Sequence, residues 1–307
     1  MASLSKIELP ALAAEVHLLT VGDTRIYRIA DADSVAWPAK ALFGQITDAD
    51  LANANAKLPK GAVDPDKGTL SLSFNSYLIA GPNLTALIDA GIGNGKERLD
   101  RPAWHRRTGA FLDILAALGF PPNGIDLVVN THFHADHVGW NTVHDGRTWR
   151  PTFPRARYVT PAGEFDYWTA RAEANPDEPV LHGAYADSIA PLIEEGVLSA
   201  LALPAEIAPG LSLKPAYGHS PGMAVVRLLA DGEEIYFLAD VLHHPVQFLA
   251  PRLCTNFCLD PAEALTTRMR ILEECAARRA IVAPYHFTPP AFGRVSANGG
   301  EFRFEYL

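Results

Sequence analysis

Apolar and polar positions are most regularly ordered in the middle of the chain. Residues 70–79 and 84–89 are strand-like runs, separated by Gly81-Pro82-Asn83, which reads as a turn. Phe111, Leu112, Ile114, Leu115 and Leu118 then recur at helical spacing, and Gly119 with Pro121 ends that helix. Leu127-Val128-Val129 is a short apolar run bounded by Asn130, as expected of a buried strand. The second half repeats the rhythm. Residues 156–160 and 211–217 read as extended, while 224–229 and 234–238 flank Asp231-Gly232, a strong hairpin signal. A helix opens at Asp260, with Pro261 at its first position and Glu263 three residues after the cap. It turns Leu265, Met269, Ile271 and Leu272 toward a core, and residues 280–283 form a last buried strand that runs into Tyr285-His286.

Two segments are less regular. Residues 49–68 are polar and hold Asn53, Asn55, Pro59, Gly61, Pro65 and Gly68, so they read as a surface loop with room for a short helix at its start. The first twenty residues are mildly apolar but interrupted by Lys6, Glu8, Pro10 and Glu15. They lack the basic start and clean apolar stretch of an export signal, which points to the cytoplasm. No repeat or Ser/Gly linker divides the chain. The expectation is a single domain over 1–307, with 1–69 as an N-terminal extension and loop. Strands and helices alternate but hairpins are present, so the class is α/β. A core of two mixed sheets with helices outside fits better than one parallel sheet.

Composition narrows the function. Among 307 residues, 48% are apolar and 20% charged, which is ordinary for a folded protein and excludes global disorder. Lys and Arg number 26 against 35 Asp and Glu, a net charge of −9 that disfavours nucleic-acid backbone as a partner. No apolar run approaches the roughly 20 residues of a membrane span. The three cysteines, Cys254, Cys258 and Cys275, are odd in number and clustered, against a disulfide framework. Cys254 and Cys258 are either half of a metal site or buried free thiols, and the lack of a second pair favours thiols. Eleven histidines are the count with chemical promise.

Four of the metal-binding side chains fall in Asn130-Thr131-His132-Phe133-His134-Ala135-Asp136-His137, directly after a buried strand. In extended backbone, residues two apart point to one side, so His132 and His134 can converge on an ion, Asp136 continues the spacing, and His137 can serve a second ion. The bland alternative is a solvated loop or core histidines bonded to backbone. Three histidines and an aspartate so closely spaced at a strand end favour the metal. Imidazoles with a carboxylate suit Zn²⁺ first, with Fe, Mn, Co or Ni also accepted.

This run resembles the H-x-H-x-D-H signature of the metallo-β-lactamase fold superfamily. Leu87-Ile88-Asp89-Ala90-Gly91 looks like the family's strand that ends in aspartate and glycine and supports the metal loop. Gly218-His219-Ser220-Pro221-Gly222 is similar to the element supplying a further histidine, although Met223 stands where many relatives carry another histidine. Phe237-Leu238-Ala239-Asp240 resembles the strand end with the bridging aspartate, and Tyr285-His286 the last ligand position. The resemblance implies an αββα sandwich of two mixed β-sheets. It implies two divalent metal ions: His132, His134 and His219 at the first, Asp136, His137 and His286 at the second, and Asp240 bridging both. The implied reaction is hydrolysis by a metal-bridging hydroxide, with Asp136 as the catalytic residue that orients it or passes a proton to the leaving group.

Other chemistries are weak. The serine of Gly218-His219-Ser220-Pro221-Gly222 does not sit in a nucleophile elbow, and Gly91-Ile92-Gly93-Asn94-Gly95 departs from both nucleotide-binding glycine patterns. His134 stands where diiron relatives carry glutamate. Phe74-Asn75-Ser76-Tyr77-Leu78, the 240–245 segment and the 286–293 segment look most like the branch of N-acyl homoserine lactone lactonases and methyl parathion hydrolase-like enzymes. A lactone, ester or organophosphate triester is therefore the implied small-molecule substrate. Alternatives are a glyoxalase II-like thioesterase, a β-lactamase, or a non-catalytic metal-binding or sensory member of the fold. Neither nucleic acid nor membrane is expected as a partner. Leu9, Leu12, Leu18 and Leu19 are compatible either with a homodimer or with folding back on the same domain. His243 and His244 read as orienting groups for Asp240 or substrate contacts. Trp140, Trp168, Phe248 and Phe287 are pocket candidates that are individually as well explained by packing, as are Tyr217 and Tyr285. Trp104-His105-Arg106-Arg107 is a local basic cluster, either an anion contact or a solvated helix start.

Overall fold

The computed structural model describes residues 2–299 and 301–307. Two large mixed sheets carry most of the strands. The nine-stranded sheet runs in the order Ser3–Leu9, Ala14–Val21, Thr24–Pro38, Thr69–Ala80, Thr85–Ile88, Leu127–Val129, Arg157–Pro161 and Leu198–Leu201, with Val63–Asp64 paired onto Thr69–Ala80. Its last three pairings are parallel and the other registered ones antiparallel. The seven-stranded sheet is Ala205–Ala208, Leu211–Pro215, Ala224–Ala230, Glu233–Phe237, Ile281–Ala283, Gly293–Asn298 and Glu301–Tyr306. Among the described residues its only parallel pair is Glu233–Phe237 with Ile281–Ala283. The crossover that a parallel pair requires contains the helix Pro261–Arg278.

Two compact units make up the chain: the segment up to Asp31 with Phe74–Leu203, and Ala32–Ser73 with Pro204–Leu307. The first unit packs Val16, Tyr27, Leu78, Leu87, Val128 and Tyr158 from its strands against Phe111, Ile114 and Leu115, the buried face of the helix Phe111–Ala117. In the second unit, Val225, Tyr236, Leu238 and Val282 meet Ile271, Leu272 and Cys275 of Pro261–Arg278. A separate cluster gathers Leu42, Phe43, Leu51, Leu72 and Leu253.

Local chemistry accounts for most element ends. Asp231 and Gly232 both take positive φ, 46° and 76°, as the tight hairpin turn requires. Asp260 Oδ1 accepts the N–H groups of Ala262 and Glu263, capping the long helix as its sequence predicts. Two segments carry more regular structure than expected. The helix at the start of 49–68 is Asp48–Lys57, and Val63–Asp64 is a strand within what read as loop. Thr47 Oγ1 accepts the Asp50 N–H while Asp50 Oδ2 accepts the Thr47 N–H, and Leu51 and Ala54 bury the inner face. Within the N-terminal extension, Ser3–Leu9 and Ala14–Val21 are strands: Leu4, Ile7 and Leu9 are partly shielded while Lys6 pairs with Glu8 and Glu15.

Candidate metal centre

In the first unit, the strand Leu127–Val129 delivers the histidine-rich run. Asn130 N–H still bonds to Val159 carbonyl, continuing the sheet, and the chain then turns so that His137 N–H reaches His134 carbonyl. This turn, rather than an extended strand, brings the rings together. The His132 ring centroid lies 4.6 Å from that of His134 and 4.1 Å from that of His137. Asp136 Oδ2 is 3.7 Å from His137 Nε2.

The turn is held by two buried carboxylates. Asp89 Oδ1 accepts the Thr131 N–H, and Asp89 Oδ2 faces Thr131 Oγ1 and His137 Nδ1, each at 2.8 Å. Burial pushes the Asp89 carboxyl pKa up, against the pull of His137. The supporting aspartate implied by the sequence therefore does contact the loop. Glu164, in the helix Ala162–Ala174, carries no signal in the sequence. Its Oε1 accepts the Phe133 N–H at 3.0 Å and the Trp168 indole N–H at 2.7 Å, anchoring the backbone between His132 and His134.

In the second unit, Glu233–Phe237 and Ile281–Ala283 are parallel neighbours, so the residues following them leave the same sheet edge. Asp240 follows one and His286 the other. Asp240 is buried, and three imidazoles surround its carboxylate: His219 Nε2 at 3.0 Å, His243 Nε2 at 3.1 Å and His286 Nε2 at 3.2 Å. Donor atoms of Asp240, His243 and His286 lie within 4.8 Å of one another, a grouping that can hold a metal ion. The element before His219 is fixed by close packing. Gly218 has φ +114°, and a Cβ there would lie 2.2 Å from the Ala264 nitrogen. His286 Nδ1 lies 3.1 Å from the Ser73 carbonyl, which leaves Nε2 directed at Asp240.

His243 and His244 separate in role. Burial draws the His243 pKa down to about 3 despite Asp240, and its ring stacks on that of His286. His244 is structural: Nε2 faces the Ala62 carbonyl at 3.0 Å and Nδ1 accepts the Val246 N–H. Arg268, fully buried on the long helix, donates to the carbonyls of Val241, Pro251 and Leu253 and so fixes the chain after Asp240.

Several pocket candidates belong to the packing. Trp140 stacks on Phe111, and Phe248 and Phe287 both pack around Phe304. Trp168 is half of the Glu164 anchor, with its ring 6.3 Å from that of His134. The basic cluster is paired internally: Arg107 with Asp31, Arg106 with Glu97, and His105 Nδ1 accepting the Arg98 N–H. The same Asp31 explains the glycine-rich loop. Its Oδ2 accepts the N–H groups of Ile92 at 2.8 Å and Gly93 at 3.0 Å, so the loop amides hold a carboxylate of this chain.

Buried imidazoles converging on carboxylates, with Nδ1 of His137 and His286 held by an oxygen acceptor, are the donor chemistry that divalent metal ions require. The chain belongs to the metallo-beta-lactamase superfamily, whose family model matches residues 73–286. Membership and donor set together define its class as a metal-dependent hydrolase of that fold. No curated protein matches the chain significantly. Among solved structures it is similar to a hydrolase of the beta-lactamase superfamily called AbOPH, with 24% identity, a TM-score of 0.77, and coverage of 95% of this chain and 97% of that one. It is also similar to AidC, described as a dizinc quorum-quenching lactonase, at 19% identity and TM-score 0.78, covering 100% of this chain and 98% of that one. A probable metal-dependent hydrolase from Staphylococcus aureus gives 19% identity and TM-score 0.75, with 94% and 98% covered.

Proposed function

We propose that the chain is a dinuclear metal-dependent hydrolase of lactones, esters or organophosphate triesters, with lactones first. The observation that carries this reading is the buried Asp240 carboxylate, with three imidazole Nε2 atoms 3.0–3.2 Å from its oxygens. In the proposed assignment His132, His134 and His219 would hold one ion, Asp136, His137 and His286 the other, and Asp240 would be shared. Two such ions, Zn²⁺ before Fe, Mn, Co or Ni, would supply Lewis acidity, polarising a substrate oxygen and lowering the pKa of a water from 15.7 toward about 7. The protein's own residues do the rest. Asp89 and Ser73 orient His137 and His286 through Nδ1, and Glu164 fixes the backbone between His132 and His134. Asp136 would orient the attacking water or take its proton and pass it to the departing oxygen. The lactone preference draws on the similarity to AidC and the phosphotriester on the sequence resemblance.

The test pairs elemental analysis with hydrolysis of an N-acyl homoserine lactone and an aryl phosphotriester, repeated on Asp240→Ala. About two divalent ions per chain are expected, with lactone turnover that the substitution abolishes. A chain that takes up neither Zn²⁺ nor Mn²⁺ overturns the site. A fully loaded chain inert to both substrates, to thioesters and to β-lactams overturns the hydrolase.

A further inference from the structure

The far side of the His219 ring meets sulfur. Its Nε2 faces Asp240, and its Nδ1 lies 3.4 Å from Cys258 Sγ. That sulfur is fixed in place. Thr255 Oγ1 approaches it at 3.4 Å, Cys258 N–H bonds to the Thr255 carbonyl, and the next residue, Leu259, donates its N–H to the His219 carbonyl at 3.1 Å. Thiol and imidazole are therefore tied to each other through both side chain and backbone.

The arrangement repeats a pattern seen at other proposed ligand histidines. His137 has Nδ1 on the Asp89 carboxylate, His286 on the Ser73 carbonyl, and His132 lies 3.1 Å from Thr131 Oγ1 through the same atom. In each case an oxygen occupies the position that Cys258 Sγ occupies at His219. A neutral imidazole carries one N–H, so whatever accepts it at Nδ1 leaves the lone pair on Nε2.

We propose that Cys258 is a positioning residue for His219, its sulfur accepting the Nδ1–H and so holding Nε2 in the metal-binding tautomer. The inference rests on the reading of His219 as a ligand. Thr255 Oγ1, 3.4 Å from Cys258 Sγ, can take the Cys258 S–H and leave the sulfur lone pairs to the ring. Behind it, Cys254 Sγ donates to the Pro261 carbonyl at 3.2 Å, and both Arg268 Nη atoms lie 3.7 Å from Cys254 Sγ. Sulfur is a weaker acceptor than carboxylate, so the His219 tautomer is held more softly than that of His137.

The experiment measures Zn²⁺ affinity of the full chain by competition with a chromophoric chelator, for wild type, Cys258→Ala, Cys258→Ser and His219→Ala. Far-UV circular dichroism monitors folding. Cys258→Ala is expected to weaken one Zn²⁺ equivalent by about 10–100-fold, and Cys258→Ser, which keeps an acceptor, to restore most of it. Wild-type affinity in a folded Cys258→Ala, while His219→Ala loses that equivalent, overturns the positioning role alone. Retention of both equivalents by His219→Ala instead overturns the ligand assignment beneath it. Should Cys258→Ala fail to fold, ¹⁵N-imidazole spectra of zinc-loaded wild type decide: an unprotonated His219 Nδ1 overturns the proposal, a protonated one supports it.

Discussion

Asp89 shows how much one side chain does in this centre. Its backbone takes φ +54°, a conformation that aspartate tolerates better than most residues, and its two oxygens meet three donors of the histidine-rich turn. An amide offers only one acceptor oxygen, so Asp89→Asn leaves a donor of Thr131 or His137 facing an NH₂ group. The expected result is about 10–100-fold weaker metal binding and a loss of about 1–3 kcal/mol in stability, read by chelator competition and urea unfolding. The signal for Asp89 lay in its place at the end of an apolar run before Gly91. Asp31, Glu164 and Arg268 had no comparable signal. Each has a partner far along the chain: Asp31 reaches Ile92, Glu164 reaches Phe133, and Arg268 reaches Val241. Cys258 was legible as a thiol and His219 as a ligand by resemblance, but their contact was not, since thirty-nine positions separate them.

At the level of elements, the helix Pro261–Arg278 and the His219 turn lock together. Asp260 N–H bonds to the Gly218 carbonyl, and the Gly218 Cα presses on the first turn of the helix. Any Cβ at 218 collides with backbone, which cannot swing aside as a side chain can, and the positive φ adds strain of about 1–2 kcal/mol. Gly218→Ala is expected to lower stability by more than that strain alone and to release the His219 metal equivalent. A thermal melt and a metal titration on the same sample check both parts. The local signals were sound where chemistry is local: the Asp231-Gly232 turn, the Asp260 cap and the Phe111–Ala117 helix all formed. They were weak where pairing is distant. The N-terminal strands are half-exposed, with their charges paired across strands, so their alternation is diluted by Lys6, Glu8 and Glu15. The helix over Asp48–Lys57 was anticipated only as a short one because asparagines are poor helix formers, which the Thr47–Asp50 cap compensates.

The stability of the whole molecule should depend on pH through one buried base. Lys96 is fully buried, with Nζ 2.6 Å from Thr142 Oγ1, 3.2 Å from the Asp187 carbonyl and 3.6 Å from the Trp149 ring centroid. Arg98 takes both oxygens of the Asp187 carboxylate, at 2.6 and 2.9 Å. Burial outweighs the attraction of Asp187 and draws Lys96 down to about 7 from 10.5. Between those values the unfolded chain holds a proton that the folded chain has shed. Stability therefore rises with pH across that window, by up to about 1.4 kcal/mol per pH unit, and Lys96 adds no slope below it. Urea unfolding of wild type and Lys96→Met from pH 7 to 10 should show the rise in the first and its loss in the second. At this scale the sequence indicated two mixed sheets because hairpins alternate with helices. It indicated the metal centre because the proposed ligands cluster at strand ends.

The Asp31 carboxylate in the amide cradle of Ile92 and Gly93 has a further consequence. A tethered anion competes at an effective concentration set by the chain, typically millimolar or above for a flexible link and higher for a rigid one. Dissolved phosphate would have to displace a counter-ion that never diffuses away and that Arg107 also grips, at 2.7 Å. The glycine-rich loop is thus a receptor already saturated by its own polypeptide, and it reports rigidity rather than recognition.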